Sequence, residues 1–218
     1  MENETISELG KSYKELKEYI MPNWCSNRIS ITCNSEVKIN NLYNLLIDWT
    51  SKVYKENSWK TKWLGNIVNF SGIGSDENIN CRGSIDDIEL YNNTISFWTE
   101  TAWNPSFEMW FLICEKYLGE EDIDWSILYV SEEPGADIFC TNDLSIVDSY
   151  NIEVWEDNEW LEEEVYEVSE SYVVELLQRI LNIENESNVD TLIEMFNDEY
   201  DNPPLVFRKF EYADIHEF

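Results

Sequence analysis

Hydrophobic residues along this chain switch repeatedly between a helical and a strand period. Ile6, Leu9, Tyr13, Leu16 and Ile20 recur at steps of three and four, the seam of an amphipathic helix over residues 5–20. So short a helix is marginal alone, so it docks on its own domain or on a second copy as a homodimer. Residues 21–27 are rich in turn formers. RISITC (Arg28–Cys33) then alternates as a strand does. Ser35 is placed to cap a helix with Ile39, Leu42, Tyr43, Leu46, Thr50 and Val53 on one face. Residues 55–80, with Gly65, Gly72 and Gly74, show neither period and read as a long connection. Ser84–Leu90 and Thr94–Thr99 are strands joined by a Tyr91-Asn92-Asn93 turn. Asn104 caps a helix with Pro105 in its first turn, Phe107, Trp110, Phe111, Cys114 and Leu118 on its buried face and Gly119 as its stop. Asp124–Val130 and Ala136–Cys140 form a strand pair around Glu133-Pro134-Gly135.

The order β-α-loop-β-β-α-β predicts an α+β fold, a ferredoxin-like antiparallel sheet of split βαβ type with helices on one face. The rest reads as an acidic α+β extension. Ser145–Trp155 and Trp160–Val168 make a hairpin through Asp157-Asn158. Ser171–Ile183 is a helix buried through Val173, Leu176, Leu177, Ile180 and Leu181. Asn188–Tyr200 is another, buried through Val189, Leu192, Ile193 and Phe196 and started by a Ser187-x-x-Asp190 capping box. Pro203-Pro204 ends it, and Leu205–Tyr212 is a last strand. Three units follow: residues 1–20 as a helical extension, 21–141 as the sandwich and 142–218 as the acidic segment.

Two stretches are more specific than any period, Met21-Pro-Asn-Trp-Cys-Ser-Asn27 and Thr101-Ala-Trp-Asn-Pro-Ser-Phe107, the second followed by Glu132-Glu-Pro-Gly-Ala-Asp137. With Trp63-Leu-Gly-Asn66 they resemble the phage and plasmid YubB ferredoxin-like family over about residues 21–141. That resemblance implies a ferredoxin-like fold and a mobile genetic element as source, and no chemistry. Family members begin at the position of Met21, so the resemblance implies that residues 1–20 are either an added helix or an artefact of an upstream start, and the segment after residue 141 has no counterpart. Trp24 and Trp103 read as core aromatics beside the sheet.

Charge changes the picture. The chain carries 45 Asp and Glu against 14 Lys and Arg, a net of −31. From Gly119 onward there are 29 acids and three cations, a net of −26. Self-repulsion on this scale destabilises a compact state, and a basic partner would offset it. Duplex DNA carries one charge per ~1.7 Å of axis, so this block matches roughly 44 Å of duplex. The sign argues against direct binding to nucleic acid or to an anionic membrane. At 43% hydrophobic and 14% aromatic content, with ten Trp, the chain can build a full core.

Catalytic signals are weak. The one histidine, His216, sits near the C-terminus, and no phosphate loop, nucleophile elbow or zinc motif occurs. Five widely spaced cysteines read as buried thiols of a cytoplasmic protein. No cofactor, resident metal or catalytic residue is expected. The sharpest local site is the hairpin. A two-residue turn sets Trp155 opposite Trp160, Glu153 opposite Glu162 and Glu156 opposite Glu159. Either the Trp pair packs inward on the tail helices and only the Glu side chains face water, or Glu153, Trp155, Trp160, Glu162, Glu163, Glu164 and Glu167 form an acid-ringed aromatic patch suited to a Lys/Arg cleft. The expected function is a non-enzymatic mobile-element protein that binds a basic host protein, as an anti-CRISPR or other anti-defence inhibitor mimicking nucleic acid. The alternatives are a phage scaffold protein and an enzyme holding a metal on carboxylates such as Asp86-Asp87 or Glu120, Glu121, Asp122 and Asp124.

Overall fold

The structure, a computed structural model, describes residues 23–54, 60–76, 78–156 and 159–214, with side chains left out for 156–164. The expected helix over 5–20 and His216 lie outside the described residues. The fold is mixed α+β, with five α-helices and two sheets among the described residues. In chain order these are β1 (Trp24–Cys33), α1 (Glu36–Thr50), α2 (Leu64–Ser71), β2 (Gly83–Tyr91), β3 (Thr94–Ala102), α3 (Phe107–Leu118), β4 (Trp125–Glu133) and β5 (Ile138–Thr141). The remainder is β6 (Tyr150–Glu156), β7 (Glu159–Val168), α4 (Glu170–Leu181), α5 (Val189–Glu199), β8 (Leu205–Lys209) and β9 (Glu211–Tyr212). The larger sheet runs β2-β3-β1-β4-β5-β9, antiparallel except for the last pair; the smaller runs β7-β6-β8.

Strand β1 is the axis of the larger sheet. Its alternation drives Cys25, Asn27, Ile29, Ile31 and Cys33 inward to at most 1% exposure, under α1, α2 and α3. Ser35 caps α1 by accepting the Lys38 N–H, and Ile39, Leu42, Leu46 and Trp49 are its buried face. Val53 lies past the helix end and is exposed. Asn92 and Asn93, with φ of 47° and 63°, make the expected β2–β3 turn.

Several expectations are corrected. The 55–80 segment contains α2, whose eight residues are too few to show a period. Gly72 stops it in the left-handed region at φ 66°. Trp63 lies across Gly65 so closely that a Cβ there would meet the indole at 2.4 Å. Helix α3 starts at Phe107 rather than at Pro105, because Asn104 accepts from Asn80 Nδ2 at 2.8 Å and Trp103 takes φ 75°. Trp24 and Trp103 are not core residues. They are 48% and 49% exposed, since Cys25 holds the inward position and Trp103 lies past the end of β3. In α5 the cap is Asn188, which accepts the Thr191 N–H at 2.9 Å, not Ser187.

The expected last strand splits between the two sheets. β8 pairs with β6, whereas β9 pairs in parallel with β5. Phe210 lies between them, fully buried against Val130 and Phe139, with Ile146 packed alongside. Its N–H donates to Ser149 O at 2.9 Å, and its carbonyl accepts from Asp148 N at 3.0 Å. Tyr129 Oη donates to Ala213 O at 2.5 Å just beyond. Phe210→Ala is therefore expected to cost about 3–5 kcal/mol. Hydrogen exchange should rise in both β5 and β6; a rise confined to β8 would show that Phe210 does not join the sheets.

Candidate functional site

The motif residues build a buried clamp across the three central strands. Asn27 Nδ2 donates to Thr101 Oγ1 (2.9 Å), Thr99 Oγ1 (3.2 Å) and Cys25 O (3.0 Å). Its Oδ1 accepts from Ser131 Oγ at 2.6 Å and from the Cys25 thiol at 3.3 Å. Every polar atom of this side chain is bonded, so the cluster fixes the register of β3-β1-β4. Asn66 acts likewise on the outer loops. Its Nδ2 donates to the Lys60 and Thr61 carbonyl oxygens, and its Oδ1 accepts from Tyr54 N.

All five cysteines are buried, and no disulfide joins them. Burial, then the neighbouring Cys140 and Glu133, push the Cys25 thiol up to about 12 from 9.0. Burial and Asp76 push Cys81 up to about 11. Burial also raises Cys114. These three are thiols at neutral pH and lack the activation that a nucleophile needs. Among the described residues, no three His, Cys, Asp or Glu side chains converge on a metal position. The raised pKa values fix the sign of the alkaline response. The unfolded chain loses thiol protons first, so stability falls as pH rises from about 9 toward 12. Tyr117 and Tyr150, also raised by burial, add to that loss. Melting followed against pH should show a shallower alkaline decline for Cys25→Ala than for the parent; parallel curves would contradict the assignment.

The acidic hairpin forms with a later start and a different register: its first strand begins at Tyr150 rather than at Ser145, because residues 144–148 make a turn. Trp155 stands opposite Trp160 and Glu156 opposite Glu159, as read from the sequence. The pairing then shifts, so Glu153 faces Glu164 rather than Glu162 and Ile152 faces Val165. A bulge breaks the regular count. The side chains of Trp160, Glu162, Glu163 and Glu164 lie outside the described residues. Glu153 is 5% exposed, so it does not present a surface charge. Its Oε2 accepts from Trp155 Nε1 at 3.2 Å, and its Oε1 lies 3.5 Å from Arg208 Nε. Glu167 is exposed but engaged with Arg28, which stands over Trp98 on the sheet face turned away from α1–α3. These two acids are internal ties. Arg208 is the centre of the second tie, with Nη1 donating to Asp137 Oδ1 at 2.8 Å and its guanidinium 5.5 Å from the Phe139 ring. Arg208→Ala strands the Glu153 charge and is expected to cost about 3 kcal/mol. The double variant with Glu153→Gln should recover part of that loss in a denaturation cycle; no recovery would mean that the two charges are not coupled.

The exposed charge sits elsewhere in the tail. Asp190, Glu194 and Asp198 recur every four residues on the outer face of α5, all exposed, about 6 Å apart along the helix axis. None of the three has an ion-pair partner among the described residues. The four-residue spacing is present in the sequence, on the face opposite the apolar Val189, Leu192 and Phe196. Among the described residues no helix is long and apolar enough to cross a membrane. No protein-family model, curated protein or solved structure gives a significant match to this chain.

Proposed function

We propose that this chain is a non-enzymatic acidic binding protein that docks on a cationic, nucleic-acid-binding surface of another protein. The observation that carries the reading is the unneutralised tail. Arg208 and Lys209 are engaged with Asp137, Glu153 and Asp148, while Asp190, Glu194 and Asp198 form a stripe with no ion-pair partner among the described residues. Charge of one sign on a rigid face steers a partner of the opposite sign and excludes anionic competitors. In its finer form the protein is an anti-defence inhibitor of the anti-CRISPR kind from a phage or other mobile element, filling a channel meant for nucleic acid. The YubB-like motifs support that source. A ferredoxin-like assignment for the larger sheet belongs to the same proposal. It is supported by the β2-β3-β1-β4 order, with α1 between β1 and β2 and α3 between β3 and β4.

The corrected geometry changes which residues test the reading. Glu153 and Glu167 hold the tail in place, so they are left intact. The set Asp190→Lys, Glu194→Lys and Asp198→Lys removes the stripe, and Glu162→Lys, Glu163→Lys and Glu164→Lys tests the hairpin separately. Affinity capture from a host lysate should retain nucleic-acid-binding proteins that duplex DNA displaces, and retention should fall steeply as salt rises. The stripe variant should lose them while keeping its melting temperature. Capture that ignores both DNA and salt, or that survives both reversals, would contradict the proposal.

A further inference from the structure

Cations are scarce here, 14 against 45 acids, and their partners single out one groove. Among the described residues Arg28, Lys38, Lys52, Lys62, Arg208 and Lys209 form ion pairs. Lys116 donates to the carbonyl oxygens of Ser71 and Gly72. Lys60, Arg82 and Arg179 have no acidic partner among the described residues. Lys60 and Arg82 line the same groove, a concavity of about 930 Å³ at the β2 edge of the larger sheet.

Three segments build it. Trp63 bridges Ser84, and the Ile85 N–H donates to Lys62 O at 3.0 Å, which lays residues 60–63 along the outside of β2. Ala102 N donates to Arg82 O at 2.9 Å, which holds Arg82 against the end of β3. Trp103 N donates to Asn23 O at 2.9 Å, which fixes the start of β1 and with it Trp24. Trp24, Trp63, Ile79 and Cys81 give the groove an apolar lining, and Asn78, Asn80 and Ser84 give it polar edges. Three carboxylates line it too: Asp86 is held by Lys62, while Asp76 and Glu100 form no ion pair with Lys60 or Arg82. Trp24 is half exposed despite its place in the most specific motif of the chain, and the acidic tail does not use it.

On a surface with a threefold excess of carboxylates, a cation is rarely out of reach of one. Two such cations beside an open indole, in a concavity of ligand size, suit an anionic aromatic molecule. We propose that the groove binds a mononucleotide, with its phosphate on Lys60 and Arg82 and its base against Trp24. Asn and Ser groups at the edge can pair with the base. The net charge of −31 argues for one nucleotide rather than a strand, because each further phosphate adds repulsion. This site is independent of the acidic tail.

The experiment follows tryptophan side-chain NH resonances by NMR on the full chain, with Trp24 assigned from Trp24→Phe. AMP and UMP should shift the Trp24 resonance saturably. Adenosine and inorganic phosphate should each bind at least about tenfold more weakly, since each keeps only half of the contacts. Lys60→Ala/Arg82→Ala should lose affinity for AMP by a similar factor, with the buried Trp110 resonance unmoved as evidence that the fold is intact. A 5′-phosphorylated oligonucleotide should bind more weakly than AMP. Trp24 silent to millimolar AMP, equal affinity in the double variant, or tighter binding of the oligonucleotide would each overturn the assignment.

Discussion

Like-charge repulsion within one small body is the constraint on which the rest of this structure depends. With 45 acids and 14 cations, the fold cannot neutralise its surface, so the position of each cation matters. Those that are paired mostly tie segments far apart in sequence. Arg28 on β1 reaches Glu167 on β7, Arg208 on β8 reaches Asp137 before β5, and Lys38 on α1 reaches Glu120 beyond α3. Exposed pairs contribute at most about 1 kcal/mol each. The tail therefore stays docked mainly through apolar contact. Phe210 packs on Val130 and Phe139, while Tyr150, Ile152, Val173, Leu177, Leu192 and Phe196 form a second core. The ion pairs select where the tail sits, and the hydrophobic seam supplies most of the holding free energy.

Covalent path reinforces that seam. The chain leaves the larger sheet after β5, builds the smaller sheet and two helices, and returns to lay β9 beside β5. A tail repelled by its own charge is thus fastened at both ends. The smaller sheet carries its own helices, so the stripe on α5 is displayed from a packed element rather than from a loose tail.

Much of this was legible in the chain because period reports burial. The alternation of β1, the Asn-Asn turn and the apolar faces of α1, α3, α4 and α5 follow from side chains sorted between core and water, except that Ile180 of α4, expected on the buried face, is exposed. What was not legible depends on partners distant in sequence. Helix α2 exists because Asn66 and Trp63 find loop atoms to hold, and eight residues cannot announce that. Trp24 and Trp103 misled because tryptophan is usually buried, whereas here a cysteine occupies the inward position. The hairpin register turned on bulges, and the fate of Glu153 turned on an arginine 55 residues later. Composition marks the acidic residues of the hairpin, and the fold decides which of them, unlike Glu153 and Glu167, are left to meet a partner.

The unneutralised carboxylates, and not the ion pairs, dominate the electrostatics of a chain with 45 acids and 14 cations. Thermal unfolding of the isolated full chain across sodium chloride from about 10 mM to 1 M tests this most directly, since the Debye length shrinks over that range from ~30 Å to ~3 Å. The melting temperature should climb with salt and then level off as self-repulsion is screened. A melting temperature that falls with added salt would mean that attractive pairs outweigh the excess, and the account of a body poised to be neutralised by a cationic surface would fail.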